Sequence, residues 1–286
     1  MRRRRAGDGD DRGAPLTAHE LHVEEHGEGF PFLLIQGLGY SKWASRAQIA
    51  DFAERRRVLA FDNRGTGLSA KPPGPYSIEE LADDAASVLD ARRLSSADVY
   101  GHSMGGFIAL TLALERPELV RSLVLTGTGA GGYGYERLPP ETQEIWLSVV
   151  GLPLEEAIRR TMPTAFAPGW IDDHPREYEA WLAARLDPPT PPECWKAQFD
   201  ATVAYVDADV PVEEIDAPAL VIHGDLDHVV PVSNGRLLAE RMPRAELVVL
   251  PDRGHVPMLE EPEEFSAVVC TFLDRLTAAP VPGTEV

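Results

Sequence analysis

Short apolar runs alternate with longer amphipathic runs along most of the chain. The segments PFLLIQG (31–37), RVLAFDNRG (57–65) and VRSLVLTGTG (120–129) each contain a continuous apolar stretch that runs into glycine. Such uninterrupted stretches are typical of strands that are buried on both faces of a parallel sheet. LHVEEHG (21–27) instead alternates apolar and polar positions, which predicts an early antiparallel strand.

Helical periodicity separates these predicted strands. YSIEELADDAASVLDARR (76–93) repeats apolar residues at helical spacing, and Ser77 with Glu80 predicts a capping box at its start. FIALTLALERP is a nearly all-apolar helix that should stop at Pro117. Strands alternating with helices predict an α/β fold whose mostly parallel sheet is flanked by helices on both faces. Later in the chain the same pattern predicts strands in 217–225 and 245–252 and helices near 232–242 and over 261–276.

Residues 130–208 interrupt this alternation. The segment holds several proline clusters, helical-looking runs and four of the five tryptophans, which are Trp146, Trp170, Trp181 and Trp195. This shift in composition predicts an inserted helical segment between two parts of one α/β core, residues 16–129 and 209–286. Residues 1–15 contain an arginine run with no apolar segment behind it, and we expect a disordered tail rather than a targeting signal.

Charge and composition narrow the possible partners and compartment. A formal net charge of -19 argues against nucleic acid or an anionic membrane as the main partner, and no stretch is apolar enough to span a bilayer. Cys194 and Cys270 lie far apart in the chain, which predicts no disulfide and a cytoplasmic location. No cluster has metal-ligand spacing, so we expect no metal and no cofactor. A small-molecule substrate is the expected partner, and the oligomeric state is unknown.

The segment GHSMGG (101–106) is the first sign of chemistry. It contains Gly-x-Ser-x-Gly, follows the predicted strand ADVYGHS and opens the apolar helix. Glycines and a serine can simply make a turn, but a sharp turn between strand and helix can also hold up a serine as a nucleophile. The helix N-terminus would offer backbone amides and a partial positive charge to a developing oxyanion.

Four further segments accompany this turn in a characteristic order. They are LLIQGLG before it, DNRGTGLS after the second buried run, and VIHGDLDHVVP and RGHVP late in the chain. Together with GHSMGG they resemble the α/β-hydrolase fold family over roughly residues 20–276. Within that family the chain resembles serine esterases and lactonases, including enol-lactonases and cofactor-free haloperoxidase-like hydrolases. The resemblance implies a nucleophile, an acid and a histidine in that chain order.

The implied triad is Ser103, Asp227 and His255. His255 follows the last predicted strand and is the histidine that lies beyond the acid loop, so we expect it to be the general base. The acid loop HGDLD contains both Asp225 and Asp227. The resemblance favours Asp227, and Asp225 would then be a turn residue that bonds its own backbone.

The resemblance also places the oxyanion hole. The donors would be the backbone N–H groups of Met104 and Leu38, the latter in the loop after LLIQG. Related enzymes carry His-Gly in this loop, whereas this chain has Gln36-Gly37. This departure affects loop details and substrate contacts rather than the reaction class. We further expect the Met104 side chain to meet a ligand.

Three other features have structural interpretations. In DNRGTGLS, Asp62 and Arg64 are expected to pair and brace the site rather than to react. The Gly-x-Gly-x-x-Gly of Gly127, Gly129 and Gly132 is expected to be a hinge, because no acidic partner of a nucleotide site is well placed. The insertion has the position of the family's helical cap. Its tryptophans and Phe166 would either form the interior of that cap or line an apolar cavity.

These features predict a metal-free serine hydrolase that cleaves a carboxylic ester or lactone of a small, fairly apolar molecule through an acyl-enzyme. Carbon–carbon bond hydrolysis, thioester hydrolysis and a biosynthetic elimination or cyclisation remain open, because they use the same fold and triad. A non-catalytic small-molecule receptor is the alternative from a different class. Haloalkane dehalogenases and epoxide hydrolases are disfavoured, because both require an aspartate where Ser103 stands.

Overall fold

One seven-stranded sheet organises the protein, which a computed structural model describes over residues 20–149 and 151–278. The strand order is β1-β3-β2-β4-β5-β6-β7; β1 runs antiparallel to β3, and all other neighbours are parallel. The strands are β1 (Val23–His26), β2 (Phe30–Ile35), β3 (Arg56–Phe61), β4 (Ala97–His102), β5 (Val120–Thr126), β6 (Ala219–Gly224) and β7 (Ala245–Leu250). The predicted α/β class and the antiparallel first strand are confirmed.

The continuous apolar runs became the central strands because both of their faces are covered. Every residue of β4 and β6 is buried, and so are the last four residues of β2. One layer of buried side chains lies on each face of the sheet, and helices supply the outer half of each layer. The predicted tail at residues 1–15 lies outside the described residues.

Eleven α-helices cover the sheet or lie between its strands in the described part of the chain. The Ser77–Glu80 capping box is present at the start of the second one, as predicted. The first was not predicted, since it is short and buries only Gln48 and Phe52. They are α1 (Arg46–Ala53), α2 (Ile78–Asp90), α3 (Met104–Glu115), α4 (Pro140–Ser148), α5 (Leu154–Thr161), α6 (Trp170–Asp173), α7 (Pro175–Leu186), α8 (Pro192–Val206), α9 (Val232–Arg241), α10 (Pro257–Glu260) and α11 (Pro262–Ala278).

Helices α4 to α8 all lie between β5 and β6 in the chain, within the predicted insertion. Phe166 and Trp170 are buried and stacked, with ring centroids 4.8 Å apart, and they belong to the same buried layer as β2 and β4 side chains. These two aromatic residues therefore form part of the core. None of the helices in the described ranges is long and apolar enough to cross a membrane.

The strand order reverses between β2 and β4, which places a crevice at the carboxyl ends of these two strands. After β2 the chain continues to β3 on one side, whereas β4 pairs with the opposite side of β2. In parallel α/β sheets such a switch point is where ligands bind. The loops that follow β2 and β4 carry the predicted oxyanion donor Leu38 and the predicted nucleophile Ser103.

Candidate active site

Ser103 occupies a strained turn between β4 and α3. Its φ and ψ are 54° and -119°, a left-handed conformation that is costly for a residue with a Cβ. The turn is held because the Ser103 N–H donates to the Thr126 carbonyl (2.9 Å) and Thr128 Oγ1 donates to the Ser103 carbonyl (2.9 Å). The side chain is partly exposed at the start of α3, where the amide of Met104 begins the helix.

The glycines around Ser103 are required by close backbone contact. A Cβ at Gly101 would lie 2.3 Å from the Gly105 carbonyl oxygen, and one at Gly105 would lie 2.3 Å from that of Ile35. Helix α3 thus packs directly onto the ends of β2 and β4, which a side chain at either position would prevent. This packing brings the N-terminus of α3 to the crevice.

His255 and Asp227 form a buried pair at the same edge of the sheet. His255 Nδ1 lies 2.8 Å from Asp227 Oδ2, and both side chains are at most 5% exposed. Asp227 Oδ1 accepts from the backbone N–H groups of Val229 and Val230, at 2.8 Å each. The second oxygen also faces His223 Nε2 at 3.2 Å, so both carboxylate oxygens receive N–H groups.

These contacts keep Asp227 ionised. Burial by itself would raise the pKa of the carboxyl, but the charge of His255 and hydrogen bonds from His223 and His255 outweigh it. The pKa of Asp227 therefore lies well below its ordinary value. An ionised partner at Nδ1 orients the imidazole and leaves Nε2 available for proton transfer.

His102, which precedes Ser103 in the chain, contacts His255 of the His255–Asp227 pair. His102 Nε2 lies 3.0 Å from the His255 carbonyl oxygen, and the two rings are 4.8 Å apart. Gly127, next to the Thr126 carbonyl that holds Ser103, lies beneath the His255 ring: a Cβ there would come within 3.0 Å of Nδ1. The fold therefore places Ser103, Asp227 and His255 at one sheet edge.

Burial of His102 should make stability depend on pH. Desolvation, reinforced by the charge of His255, lowers the pKa of His102 to about 3. Below about pH 6.5 the unfolded chain takes up a proton that the folded protein does not, so stability falls with falling pH by roughly 1.4 kcal/mol per unit at full effect. We expect the free energy of unfolding, measured with urea, to decrease less for His102→Gln than for the wild-type protein when the pH is lowered from 7.5 to 5. Parallel declines would contradict this assignment.

The loop after β2 makes a tight turn beside the serine. The Tyr40 N–H donates to the Gly37 carbonyl (3.1 Å), and Gly39 at the third position has a φ of +67°, as in a type II turn. A Cβ at Gly37 would come within 3.2 Å of the Ser103 Cβ, so the turn lies against the serine. We call residues 37–40 the oxyanion turn, because they include Leu38, whose N–H is the predicted oxyanion donor.

Gln36, at the position where the family resemblance led us to expect histidine, is turned into the protein. Its side-chain Nε2 donates to Ser45 Oγ (2.8 Å), and its backbone carbonyl accepts from Asn63 Nδ2 (2.9 Å). The residue is fully buried. The substitution thus supports the strand end from behind rather than adding a polar group to the crevice.

The insertion also contacts the segment that carries His255. The His255 N–H donates to the Ala165 carbonyl (2.8 Å). Glu260 accepts from the Gly254 N–H (2.9 Å) and from the Ala167 N–H (2.7 Å). Burial raises the pKa of this carboxyl, whereas the two amides lower it, and burial prevails. Glu260 therefore ties the insertion to the residue that precedes His255.

The expected pairing of Asp62 with Arg64 is wrong. Arg64 forms a buried two-point pair with Asp84, at 2.6 and 2.8 Å. Asp62 instead accepts from the N–H groups of Lys42 and Leu68, at 2.9 Å each. The reason is that α2 brings Asp84 to the Arg64 guanidinium, whereas Asp62 lies next to backbone N–H groups. That neither residue reacts stays a prediction.

Two smaller expectations also fail. Asp225 does not bond its own turn: its Oδ1 accepts from the N–H of Asp252, in the loop after β7 (2.7 Å). Met104 has a fully buried side chain within the core layer that contains Leu33 and Phe107, rather than one that faces a ligand. The reason is that Met104 is the first residue of α3, which packs against the ends of β2 and β4, so its side chain enters the core layer between helix and sheet.

Sequence reasoning missed several residues of this region. His223 is on β6, as expected, but its contact with Asp227 was not foreseen, although the two are four residues apart in one strand–loop segment. Glu260 had no local signal, because its partners are backbone amides, one six residues before it in a loop and the other 93 residues away. Across the described ranges, no group of three or more His, Cys, Asp or Glu side chains is arranged to hold a metal ion.

Comparisons with known proteins agree with this architecture. The family model described as alpha/beta hydrolase fold matches residues 31–262. A proposed carbamate hydrolase, RutD, from Azorhizobium caulinodans is 34% identical over 261 residues, covering 90% of this chain and 96% of that protein. The 2-hydroxymuconate semialdehyde hydrolase of Pseudomonas sp. strain CF600 is 32% identical over 270 residues, covering 91% and 92%.

A solved structure extends the agreement to three dimensions. Est816, described as an N-acyl homoserine lactone degrading enzyme, superposes with a TM-score of 0.75 at 32% identity and covers 88% of this chain and 96% of its own. The residues that the family model matches, 31–262, include β3 to β7 and all but the first residue of β2. The chain belongs to the α/β-hydrolase fold family.

Proposed function

We propose that this protein is a serine hydrolase that cleaves a carboxylic ester or lactone through an acyl-enzyme. The observation that carries the proposal is the position of Ser103. It is held in a left-handed conformation at the switch point, at the same sheet edge as the His255–Asp227 pair. Strained backbone of this kind persists where the surrounding structure requires it, and functional sites are where it concentrates.

The proposed reaction begins with proton transfer. His255 Nε2 accepts the Ser103 hydroxyl proton while the Ser103 oxygen attacks the substrate carbonyl carbon. Asp227, bonded to Nδ1, stabilises the imidazolium that forms. The carbonyl π electrons move onto oxygen, where the N–H groups of Leu38 and Met104 receive the negative charge.

Collapse of the tetrahedral species expels the alcohol, which takes its proton from His255. Water then attacks the acyl carbon while His255 accepts a proton from that water. The second tetrahedral species collapses with cleavage of the bond between the acyl carbon and the Ser103 oxygen, which takes the proton back from His255 as the acid is released. The N-terminus of α3 contributes a partial positive charge at the Met104 amide, which favours the oxyanion in both halves of the reaction. For a lactone, the alcohol and acid are parts of one product.

We further propose that residues 130–208 act as a cap that selects a small, fairly apolar substrate. Support comes from an aromatic group in the insertion: the rings of Trp195 and Phe199 stack 5.2 Å apart, and Trp146 lies 6.3 Å from Trp195. These three side chains are only partly buried, unlike Phe166 and Trp170. Trp195 also packs against the oxyanion turn, where its Cδ1 leaves no space for a Cβ at Gly39.

Carbon–carbon bond hydrolysis is the second function that a specific observation favours. A relative at 32% identity carries the name 2-hydroxymuconate semialdehyde hydrolase. The lactone-degrading description of Est816, at the same identity and with a matching fold, favours the ester and lactone class instead. Both reactions need a nucleophile or activated water, an oxyanion site and a proton donor at the same positions.

Covalent labelling combined with a substrate panel tests the proposal. We expect an alkyl fluorophosphonate to label wild-type protein on Ser103, identified by peptide mass spectrometry, and to leave Ser103→Ala unlabelled. The panel contains short and medium acyl esters, lactones, a thioester, an aryl carbamate and a β-diketone. Highest kcat/KM for esters or lactones supports the proposal, and highest kcat/KM for the β-diketone supports carbon–carbon hydrolysis. Folded protein that takes no label would favour a receptor.

A further inference from the structure

We propose that Gln198, on insertion helix α8, is a positioning residue for the oxyanion turn. It fixes the backbone that carries the Leu38 N–H, so docking of the insertion and formation of the oxyanion site are coupled. The inference rests on the proposed function, because it concerns how the proposed donor is held. Neither the family's sequence motif nor the triad includes this residue.

The oxyanion turn depends on the insertion for the polar groups of Gly39. The Gly39 N–H donates to Gln198 Oε1 (2.9 Å), and the Gly39 carbonyl accepts from Thr190 Oγ1 (3.2 Å). Gln198 and Thr190 lie 159 and 151 residues from Gly39 in the chain. Both backbone groups of this buried glycine are therefore satisfied from the segment between β5 and β6.

Gln198 is itself held in place from its other end. Its Nε2 donates to the Arg64 carbonyl (2.8 Å), and the residue is fully buried. The Arg64 side chain is anchored by the two-point pair with Asp84 on α2. The Gln198 side-chain amide thus bridges the loop after β3 and the turn after β2. A shift of either segment would break one of its two hydrogen bonds.

Side chains of the insertion also pack against the oxyanion turn and restrict its backbone. Gly39 has a φ of +67°, and a Cβ there would lie 2.7 Å from Trp195 Cδ1. The Arg185 guanidinium lies over the Tyr40 ring, 4.2 Å from its centroid. Side chains from α7 and α8 therefore cover the far side of the turn, opposite Ser103.

This arrangement has an energetic consequence for the cap. If α8 and the residues just before it moved away, the Gly39 N–H would lose Gln198 and the Gly39 carbonyl would lose Thr190, and a buried unpaired polar group is costly. The turn would then relax, and the Leu38 amide would no longer be fixed against Ser103. Since oxyanion donors act by being in place before charge develops, a displaced amide lowers kcat more than it weakens substrate binding.

The test compares the same substitution at two buried glutamines. Gln198→Met preserves size and removes both hydrogen bonds. Gln48→Met, on α1, removes a buried bond to the Met258 carbonyl and does not touch the oxyanion turn. We expect Gln198→Met to lower kcat about 10- to 100-fold with little change in KM. Gln48→Met should lower the melting temperature while kcat stays near that of wild type.

A boronic acid inhibitor adds a readout that a merely structural role would not move. Its tetrahedral adduct on Ser103 places an oxygen at the oxyanion position, whereas the alcohol product of an ester substrate, used here for product inhibition, has no acyl oxygen to place there. Gln198→Met should weaken boronate binding by about the factor seen in kcat and leave product inhibition unchanged. Wild-type kcat and boronate affinity in folded Gln198→Met would overturn the inference.

Thr190 provides a second pair of variants if Gln198→Met does not fold. Thr190→Val removes the bond to the Gly39 carbonyl, and Thr190→Ser keeps it. A lower kcat in the valine variant, restored in the serine variant, supports the inference, and equal kcat values in the two overturn it. Failure of the proposed function has a different signature, because wild type itself would then lack Ser103 labelling and hydrolysis.

Discussion

Ser103→Ala should lower kcat by on the order of 10⁴ to 10⁶, because the proposed acyl-enzyme forms on the Ser103 oxygen. KM should change little, since the hydroxyl contributes more to the transition state than to substrate binding. The fold should tolerate the change, because the strained backbone is set by contacts of the Ser103 N–H and carbonyl rather than by its hydroxyl. Steady-state kinetics on the best ester or lactone of the panel measure the effect.

Ser122→Ala is the matched control. Ser122 is fully buried on β5 and its Oγ donates to Asp98 Oδ1 (2.6 Å), away from the carboxyl edge of the sheet. This variant should lose some stability and keep its turnover. Wild-type turnover in purified Ser103→Ala would rule out the serine mechanism, whatever the substrate.

Asp227→Asn should lower kcat by about 10⁴. Both carboxylate oxygens receive N–H groups: Oδ1 from two backbone amides and Oδ2 from His255. An asparagine must therefore direct its NH₂ towards an N–H donor in either orientation. The backbone amides cannot change, so the NH₂ turns to His255 and forces the proton from Nδ1 to Nε2. That tautomer cannot accept the Ser103 proton.

Asp225→Asn is the control for this prediction. Asp225 is exposed, and its Oδ1 accepts one N–H, from Asp252, which an asparagine oxygen can also accept. We expect kcat close to wild type in this variant. The reverse result, with large loss in Asp225→Asn and small loss in Asp227→Asn, would move the acid to position 225. We would measure kcat of each variant at several pH values and the midpoint of its urea unfolding transition. The two measurements separate loss of catalysis from loss of folding.

Local patterns along the chain were sufficient for the fold. Continuous apolar runs such as that of β4 report burial on both faces, and the Ser77–Glu80 capping box marks the start of α2 from two residues alone. These signals depend on neighbours within a few positions, so they can be recognised in the sequence without knowing the tertiary structure. The family followed from the order of short motifs, and it is confirmed.

Contacts between distant segments required the structure. The pairing of Arg64 with Asp84 rather than Asp62 depends on where α2 crosses the loop after β3. The buried position of the Met104 side chain depends on how α3 packs under the sheet. Neither is encoded in spacing, because side-chain direction in a turn changes with a single backbone dihedral.

The chemistry of the crevice divides in the same way. The short motifs of the chain, together with the family resemblance, predicted Ser103 and His255 as the reactive groups and favoured Asp227 over Asp225 as the acid. The tertiary structure alone brought Gln198 of the insertion to Gly39, 159 residues away, and set His223 beside Asp227. A motif records what a short segment must do locally, whereas hydrogen bonds across the fold form only when the sheet and its insertion bring remote groups within 3 Å.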